Sequence, residues 1–289
     1  MEGEEQMKIF NKISELRDYV KERRKESKSI ALVPTMGYLH QGHLTLMKKA
    51  KEDTDIVIAS IFVNPTQFGP TEDYEAYPRD LERDVNLAKE VGVDIMFAPE
   101  TEEIYLKDEL TTVTVDSLNE RLCGASRPGH FDGVCTIVSK LFNILNPDQA
   151  YFGQKDAQQV LIIKKMVDDL NFDIEIVTVP IVREEDGLAM SSRNKYLNKE
   201  ERKAALVLYS SLKLAKKLIA SGERNANLIK EEMISLINQE DLAEIDYVKI
   251  VKQSNLEEIN EIEGQILIAL AVYIGQTRLI DNLMLEVEK

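Results

Sequence analysis

Through its first two thirds the chain alternates short β-branched apolar runs with longer stretches of helical period. Residues 29–34 read as a strand, followed by a glycine-containing turn and a helix over about 43–52. Residues 55–63 (DIVIASIFV) form the unbroken apolar run of a strand buried on both faces of a parallel sheet. A polar loop over 64–79 leads to a helix over about 80–91 and a short strand at 94–98. Residues 111–115 are β-rich. Residues 131–145 have helical period and stop at Asn146-Pro147. A short strand at 149–152, a helix over 156–170 and a buried strand over 173–182 complete the pattern.

This alternation predicts an α/β fold, a parallel sheet wrapped by helices, with its ligand site at the carboxyl ends of the strands. The loops to inspect are therefore 34–43, 64–79, 153–156 and 182–194. After Asn194 the rhythm changes. Helices over about 199–220 and 226–238 precede strands at 245–251, 265–274 and 277–287, an α+β pattern. A boundary is expected near 184–194, giving domains 1–183 and 184–289. The boundary segment carries a motif of its own, which points to a site shared between the two.

Charge narrows the function. The chain of 289 residues has 36 basic and 51 acidic side chains, a net charge of −15. Such a surface repels phosphate backbones and anionic lipids, so neither nucleic acid nor a membrane is expected as partner. The longest apolar run, 266–274, is far short of the roughly 20 residues that a membrane helix needs. Residues 1–6 are acidic and lack an apolar region, so no signal peptide is expected there, and Met7 is an alternative start. Cys123 and Cys135 have no CxxC spacing and no Cys/His pattern, which fits reduced thiols and a cytoplasmic protein.

The three histidines, His40, His43 and His130, all fall in motifs. The first motif is Pro34-Thr35-Met36-Gly37-Tyr38-Leu39-His40-Gln41-Gly42-His43, at a strand-to-helix junction. Gly37 permits a tight turn, Gly42 permits close approach of a ligand to the backbone, and the helix start offers N–H groups to phosphate. Two histidines three apart can donate to phosphate oxygens. Two other readings compete: a zinc site completed by His130, and satisfied structural histidines. The second motif is Tyr151-Phe152-Gly153-Gln154-Lys155-Asp156-Ala157-Gln158-Gln159. Here Lys155 can neutralise a polyphosphate, Asp156 can accept ribose hydroxyls, and Gln159 lies one turn along the helix. A solvated Lys/Asp pair is the alternative. The third, residues 183–194 (REEDGLAMSSRN), is a glycine-containing loop whose hydroxyls and arginines suit a leaving pyrophosphate, or else a polar linker. Gln67, in Asn64-Pro65-Thr66-Gln67, offers an amide to a hydroxyl- or carboxylate-bearing substrate. Arg127 and His130 could meet a carboxylate or could simply cap the helix that follows.

Taken together, PTMGYLHQGH, FVNPTQFGP, AYPR, RPGHFDGV, YFGQKDAQQ and AMSSRN, in this order and spacing, resemble the pantothenate synthetase (pantoate–β-alanine ligase, AMP-forming) family of the HxGH nucleotidylyl-transferase superfamily. The resemblance runs from about Met7 to the C-terminus. It implies a Rossmann-like N-terminal domain, a smaller C-terminal lid domain and a homodimer. It also implies a reaction that condenses pantoate with β-alanine through a pantoyl-adenylate, using ATP and releasing AMP and pyrophosphate. By motif, it places Met36, Gly37, Tyr38, Leu39, His40, Gln41, Gly42 and His43 at ATP, with His43 at the position usually assigned as proton donor. Gly153, Gln154, Lys155, Asp156 and Val182 follow as further nucleotide contacts. Met190, Ser191, Ser192 and Arg193 resemble the loop that gathers departing phosphates. Gln67 and Gln159 match the pantoate pair, and Gln67 also borders β-alanine. His40, Lys155 and Arg193 join His43 as the catalytic set. Two departures touch the metal. Asp80 stands where threonine often follows AYPR, and Arg83-Asp84 stands where an acidic pair is expected. Mg²⁺ is therefore expected to sit mainly on ATP oxygens and water. The alternatives are another nucleotidylyl transferase, which should lack the paired glutamines, and a nucleotide-sensing protein on an inactive scaffold, which predicts loss of Lys155 or of the histidine pair, whereas both are intact. A synthetase fragment that binds RNA is disfavoured by the charge.

Overall fold

The computed structural model describes residues 7–70 and 72–288. Residues 1–6, over which no signal peptide is expected, lie outside the described residues. Among the described residues, β1 (Lys8–Phe10), β2 (Ile30–Thr35), β3 (Ile56–Ile61), β4 (Ile95–Phe97), β5 (Gln149–Gly153) and β6 (Glu175–Val179) form one sheet in the order β1-β4-β3-β2-β5-β6. Every pairing in it is parallel. The α-helices, in chain order, are α1 (Ile13–Lys25), α2 (Gln41–Asp53), α3 (Leu81–Glu90), α4 (Thr101–Ile104), α5 (Cys123–Ser126), α6 (His130–Leu145), α7 (Ala157–Leu170), α8 (Lys199–Ala204), α9 (Leu206–Ala220) and α10 (Ala226–Ile237). A second sheet, β7 (Ala243–Lys252), β8 (Gly264–Ile274) and β9 (Thr277–Val287), is antiparallel in that order. The expected α/β class with a smaller α+β C-terminal part is what the chain adopts.

The parallel sheet is apolar on both faces because both are covered. Ile30, Leu32, Ile58 and Phe97 face one way, into a core shared with Leu16 of α1, Phe142 of α6 and Ile163 of α7. Ala31, Val33, Val57, Ala59 and Met96 face the other way, against Met47 of α2 and Val85 of α3. The same alternation divides β8. Ile266, Ile268 and Leu270 pack on α9 and α10, whereas Leu267 and Ala269 join the large core of the parallel half.

Topology then fixes where a ligand can sit. From β2 the chain lays β3 and β4 on one side, and it later returns to lay β5 and β6 on the other. The connections diverge between β2 and β5, leaving a crevice beyond their carboxyl ends, the usual binding place in an open α/β sheet. The His40 turn leaves β2 there, and the Lys155 turn leaves β5.

Several stretches differ from the sequence reading, the short helices α4 and α5 among them. β1 and α1 carry no clear apolar signal, since α1 buries only Leu16 and Val20. Residues 111–115 form no regular element and pair with no strand among the described residues. Their β-rich character is used in packing instead: Val115 is buried, and the Val113 N–H donates to Thr136 Oγ1 at 3.0 Å. The strand expected over 173–182 ends at Val179, because Pro180 has no N–H to donate. The helix expected over 199–220 divides into α8 and α9 at Ala205.

Candidate active site

The turn after β2 is built around two imidazoles. His40 is the N-cap of α2, and its Nδ1 accepts the Gly42 N–H at 3.1 Å. His43 reaches back, and its Nδ1 accepts the His40 N–H at 3.3 Å. The rings stack with centroids 4.0 Å apart. Gly42 is required for this arrangement, because a Cβ there would lie 2.9 Å from the His40 ring. The close approach anticipated at Gly42 is thus to an imidazole of the chain itself.

These contacts decide the protonation state. Burial, with the nearby Lys155 charge, pushes His40 down to about 4. Burial, then His40, then Lys155 hold His43 well below the ordinary histidine range. Both rings are neutral at pH 7. Since each Nδ1 is an acceptor, each Nε2 must carry the proton. The turn therefore presents two uncharged N–H donors.

Opposite them, Gln67 is buried at the end of a 3₁₀ turn (Pro65–Gln67). Its Oε1 accepts from Asn64 Nδ2 at 3.1 Å, and its Nε2 points at Met36 Sδ, 3.0 Å away. Asn64 is held in turn by Gly133 O, Thr66 and Tyr105. Helix α6 lies close on this turn: a Cβ at Gly133 would come within 2.4 Å of Thr66 O.

After β5, Lys155 sits 3.8 Å from the half-exposed Asp156. The turn is pinned from the other half of the molecule, where Asn282 Nδ2 donates to the carbonyls of Gln154 and Lys155, both at 2.9 Å. Residues 182–194 fold back on themselves through Glu184 N–H to Leu188 O and Met190 N–H to Val182 O. Arg183 forms a two-pronged pair with buried Asp281, at 2.6 and 2.9 Å, and covers the Tyr209 ring. Arg193 reaches Asp73 at 2.8 Å.

A cavity of about 230 Å³ unites these pieces. Met36, His40, Gly42, His43, Gly153, Lys155, Asp156, Val182, Met190, Ser191, Ser192 and Arg193 line it, as do Gln67 and Gln159. Gly37, Tyr38, Leu39, Gln41 and Gln154 do not; Leu39 is in the core and Gln41 faces solvent. A wider space of about 620 Å³ adjoins it and also reaches β9.

Several residues set this geometry in ways the sequence did not announce. Asp84 is buried and accepts the N–H groups of Tyr38 and Leu39, both at 2.7 Å. Arg83 donates to Leu39 O at 2.9 Å and covers the Tyr38 ring. Gln158 ties the 118–123 segment to α7 through Leu118 O, Arg121 O and the Cys123 N–H. Glu72 clasps Arg127 at 2.7 and 2.5 Å. Burial opposes the Glu72 charge, and Arg127 outweighs it, leaving the carboxyl below its usual range. Arg127 also meets His130 Nε2 at 3.0 Å, and His130 Nδ1 lies 2.8 Å from Gln67 O. An arginine can only donate, so His130 Nε2 accepts and Nδ1–H donates. Burial, then the Arg127 charge, take His130 down to about 4. With both nitrogens engaged, His130 cannot complete a three-histidine zinc site. Among the described residues no three His, Cys, Asp or Glu side chains gather as a metal cage.

This geometry can be set beside known proteins. Residues 8–284 match the family described as pantoate–β-alanine ligase. The chain belongs to that family. Pantothenate synthetase of Caldicellulosiruptor saccharolyticus is 59% identical over 97% of this chain and 100% of its own length. That of Thermoanaerobacter sp. is 59% identical over 96% and 98%. The crystal structure of pantothenate synthetase from Thermus thermophilus superposes with a TM-score of 0.92, at 43% identity, covering 98% of this chain and 100% of that one. The ligase from Francisella tularensis, solved in complex with β,γ-ATP and β-alanine, has a TM-score of 0.78 at 36% identity, covering 96% and 97%. As a member of this ligase family, the chain is an enzyme that joins pantoate to β-alanine.

Proposed function

We propose that ATP lies across the β2/β5 crevice and that pantoate is activated there as its adenylate. The observation that carries this reading is the convergence of the His40 and His43 N–H donors and Lys155 on one cavity that also holds Gln67 and Gln159. His40, His43 and Lys155 meet the phosphates, Asp156 the ribose, and Gly153 and Val182 the adenosine side. Met190, Ser191, Ser192 and Arg193 gather the departing pyrophosphate. Gln67 and Gln159 hold pantoate, and Gln67 borders the incoming amine.

The chemistry asks little of the chain in acid–base terms. A pantoate carboxylate oxygen bonds to the α-phosphorus as the α–β bridging bond breaks and pyrophosphate leaves. The neutral β-alanine amine then attacks the acyl carbon, AMP leaves with its bonding pair, and the amine nitrogen releases its extra proton to water. The carboxylate is already a nucleophile, so the first step needs positioning and charge stabilisation on the triphosphate. Lys155 supplies a full charge, and the histidines supply neutral donors fixed in direction.

Mg²⁺ is part of this reading only as a passenger of the triphosphate. The carboxylates present do not make a cage for it: Asp84 is engaged with two amides, Asp73 with Arg193 and Glu72 with Arg127. The same reading includes a homodimer, a cytoplasmic location and two modules divided at 183/184. No helix among the described residues is long and apolar enough to cross a membrane.

Pantoate-dependent ATP–pyrophosphate exchange without β-alanine tests the site. Lys155→Ala and His43→Ala should each lower exchange by at least ~10²-fold, the scale for losing one pre-organised stabiliser. Near-normal exchange in both would sink the assignment. Exchange that ignores pantoate, or product formed with ADP, would sink the mechanism.

A further inference from the structure

Arg127 already holds a carboxylate, and that carboxylate belongs to the chain. One edge of the guanidinium is anchored inward, to His130 Nε2 at 3.0 Å and Gln67 O at 3.5 Å. The other edge, Nε and Nη2, forms a fork on Glu72 at 2.7 and 2.5 Å. The inward contacts use a neutral ring and a backbone carbonyl, so Arg127 keeps its place without Glu72. Glu72 sits among turns and bends between Gln67 and α3, where its N–H donates to Gly69 O at 3.0 Å. Arg127 lines both cavities, and Glu72 lines the wider one.

We propose that Arg127 reads the carboxylate of β-alanine and that Glu72 is a resident carboxylate which the substrate displaces. This rests on the reading above that the amine approaches the acyl group beside Gln67. The acceptor carries an amine at one end and a carboxylate at the other. His130 ties Arg127 to the carbonyl of Gln67 itself, so one short network spans both ends. Exchanging one carboxylate for another keeps the guanidinium paired throughout, which avoids leaving a part-buried cation alone. An amine without a carboxylate cannot make the exchange, and this would give the enzyme its selectivity for an amino acid over a simple amine.

The test separates the two half-reactions. R127Q should raise the KM for β-alanine about tenfold or more, as expected for losing a two-pronged charged contact, while exchange falls less than about threefold. E72Q should lower that KM, because the competitor is weakened, with little change in kcat. Wild-type enzyme should prefer β-alanine to β-alaninamide, and R127Q should level the two. Equal losses of exchange and amide formation in R127Q, or a raised β-alanine KM in E72Q, would overturn the proposal. Absence of pantoate-dependent exchange in the wild type would overturn the adenylate reading instead.

Discussion

Asp84 Oδ1 accepts the Leu39 N–H at 2.7 Å across 45 residues of sequence. The neighbouring Tyr38 has φ 49°, a left-handed conformation that a bulky residue adopts only under constraint. Asp84 supplies that constraint by taking both amides, and Arg83 adds a contact to Leu39 O. Asp84→Ala should destabilise the fold by about 1–3 kcal/mol for the amides left unpaired, and should lower ATP–pyrophosphate exchange. Asp84→Asn keeps one acceptor oxygen and should fall between. Urea unfolding and exchange rates measured on the same samples check both, and an alanine variant with wild-type exchange would remove Asp84 from the site's support.

Neutral histidines make stability depend on pH. In the unfolded chain they titrate near 6.5; folded, burial takes His40 and His130 down to about 4 and holds His43 well below the ordinary histidine range. Below 6.5 the unfolded chain therefore binds protons that the folded chain refuses. Their stabilising contribution is complete above that value and drains away as the pH falls toward 4. The urea midpoint should be lower at pH of about 5 than at about 7.5, and histidine NMR signals should show no titration near 6.5. Equal midpoints with a titrating His40 would contradict the assignment.

Gly133 permits α6 to lie against the turn that bears Gln67. Gly133→Ala would force a Cβ to within 2.4 Å of Thr66 O, and backbone must move to relieve it. Overpacking of this kind costs about 1–3 kcal/mol. The displaced turn should raise the KM for pantoate more than that for ATP, and steady-state kinetics with each substrate varied would show it. A KM for pantoate at the wild-type value would mean that Gln67 does not move with the turn.

Arg183 and Asp281 tie the loop after β6 to β9, and Asp281 is only 2% exposed. Arg183→Ala leaves a buried carboxylate without its partner and should cost about 3–5 kcal/mol. Replacing both residues with apolar ones of similar size should be milder. Thermal melts of the single and double variants decide this, and equal losses would assign the effect to packing.

The strand-end loops were legible because apolar runs, glycines and caps are local signals. Residues 55–63 announce a buried strand, and Gly37 and Gly42 beside two histidines announce a tight turn into a helix. What escaped is reciprocal. That Glu72 would engage Arg127, or Asp73 Arg193, follows from distances between loops far apart in the chain, and charged side chains in polar segments look solvated until folding brings them together. Asp84 shows the limit well. In sequence it is one acid in a charged helix start; in space it is buried and accepts two amides of the turn that leads to His40. The β-rich stretch 111–115 failed for the opposite reason, since β-propensity reports a fit to a half-buried surface and not a sheet partner.

Val251, Leu256, Leu267 and Ala269 of the antiparallel half share an apolar cluster with Leu16, Ile30 and Phe142 of the parallel half. Neither half is sealed without the other. The molecule should therefore melt in one cooperative transition despite its two sheets, and a chain cut after Arg183 should expose a wet apolar face and fail to fold. Any opening of the crevice must proceed by sliding along this seam, since separation would flood it.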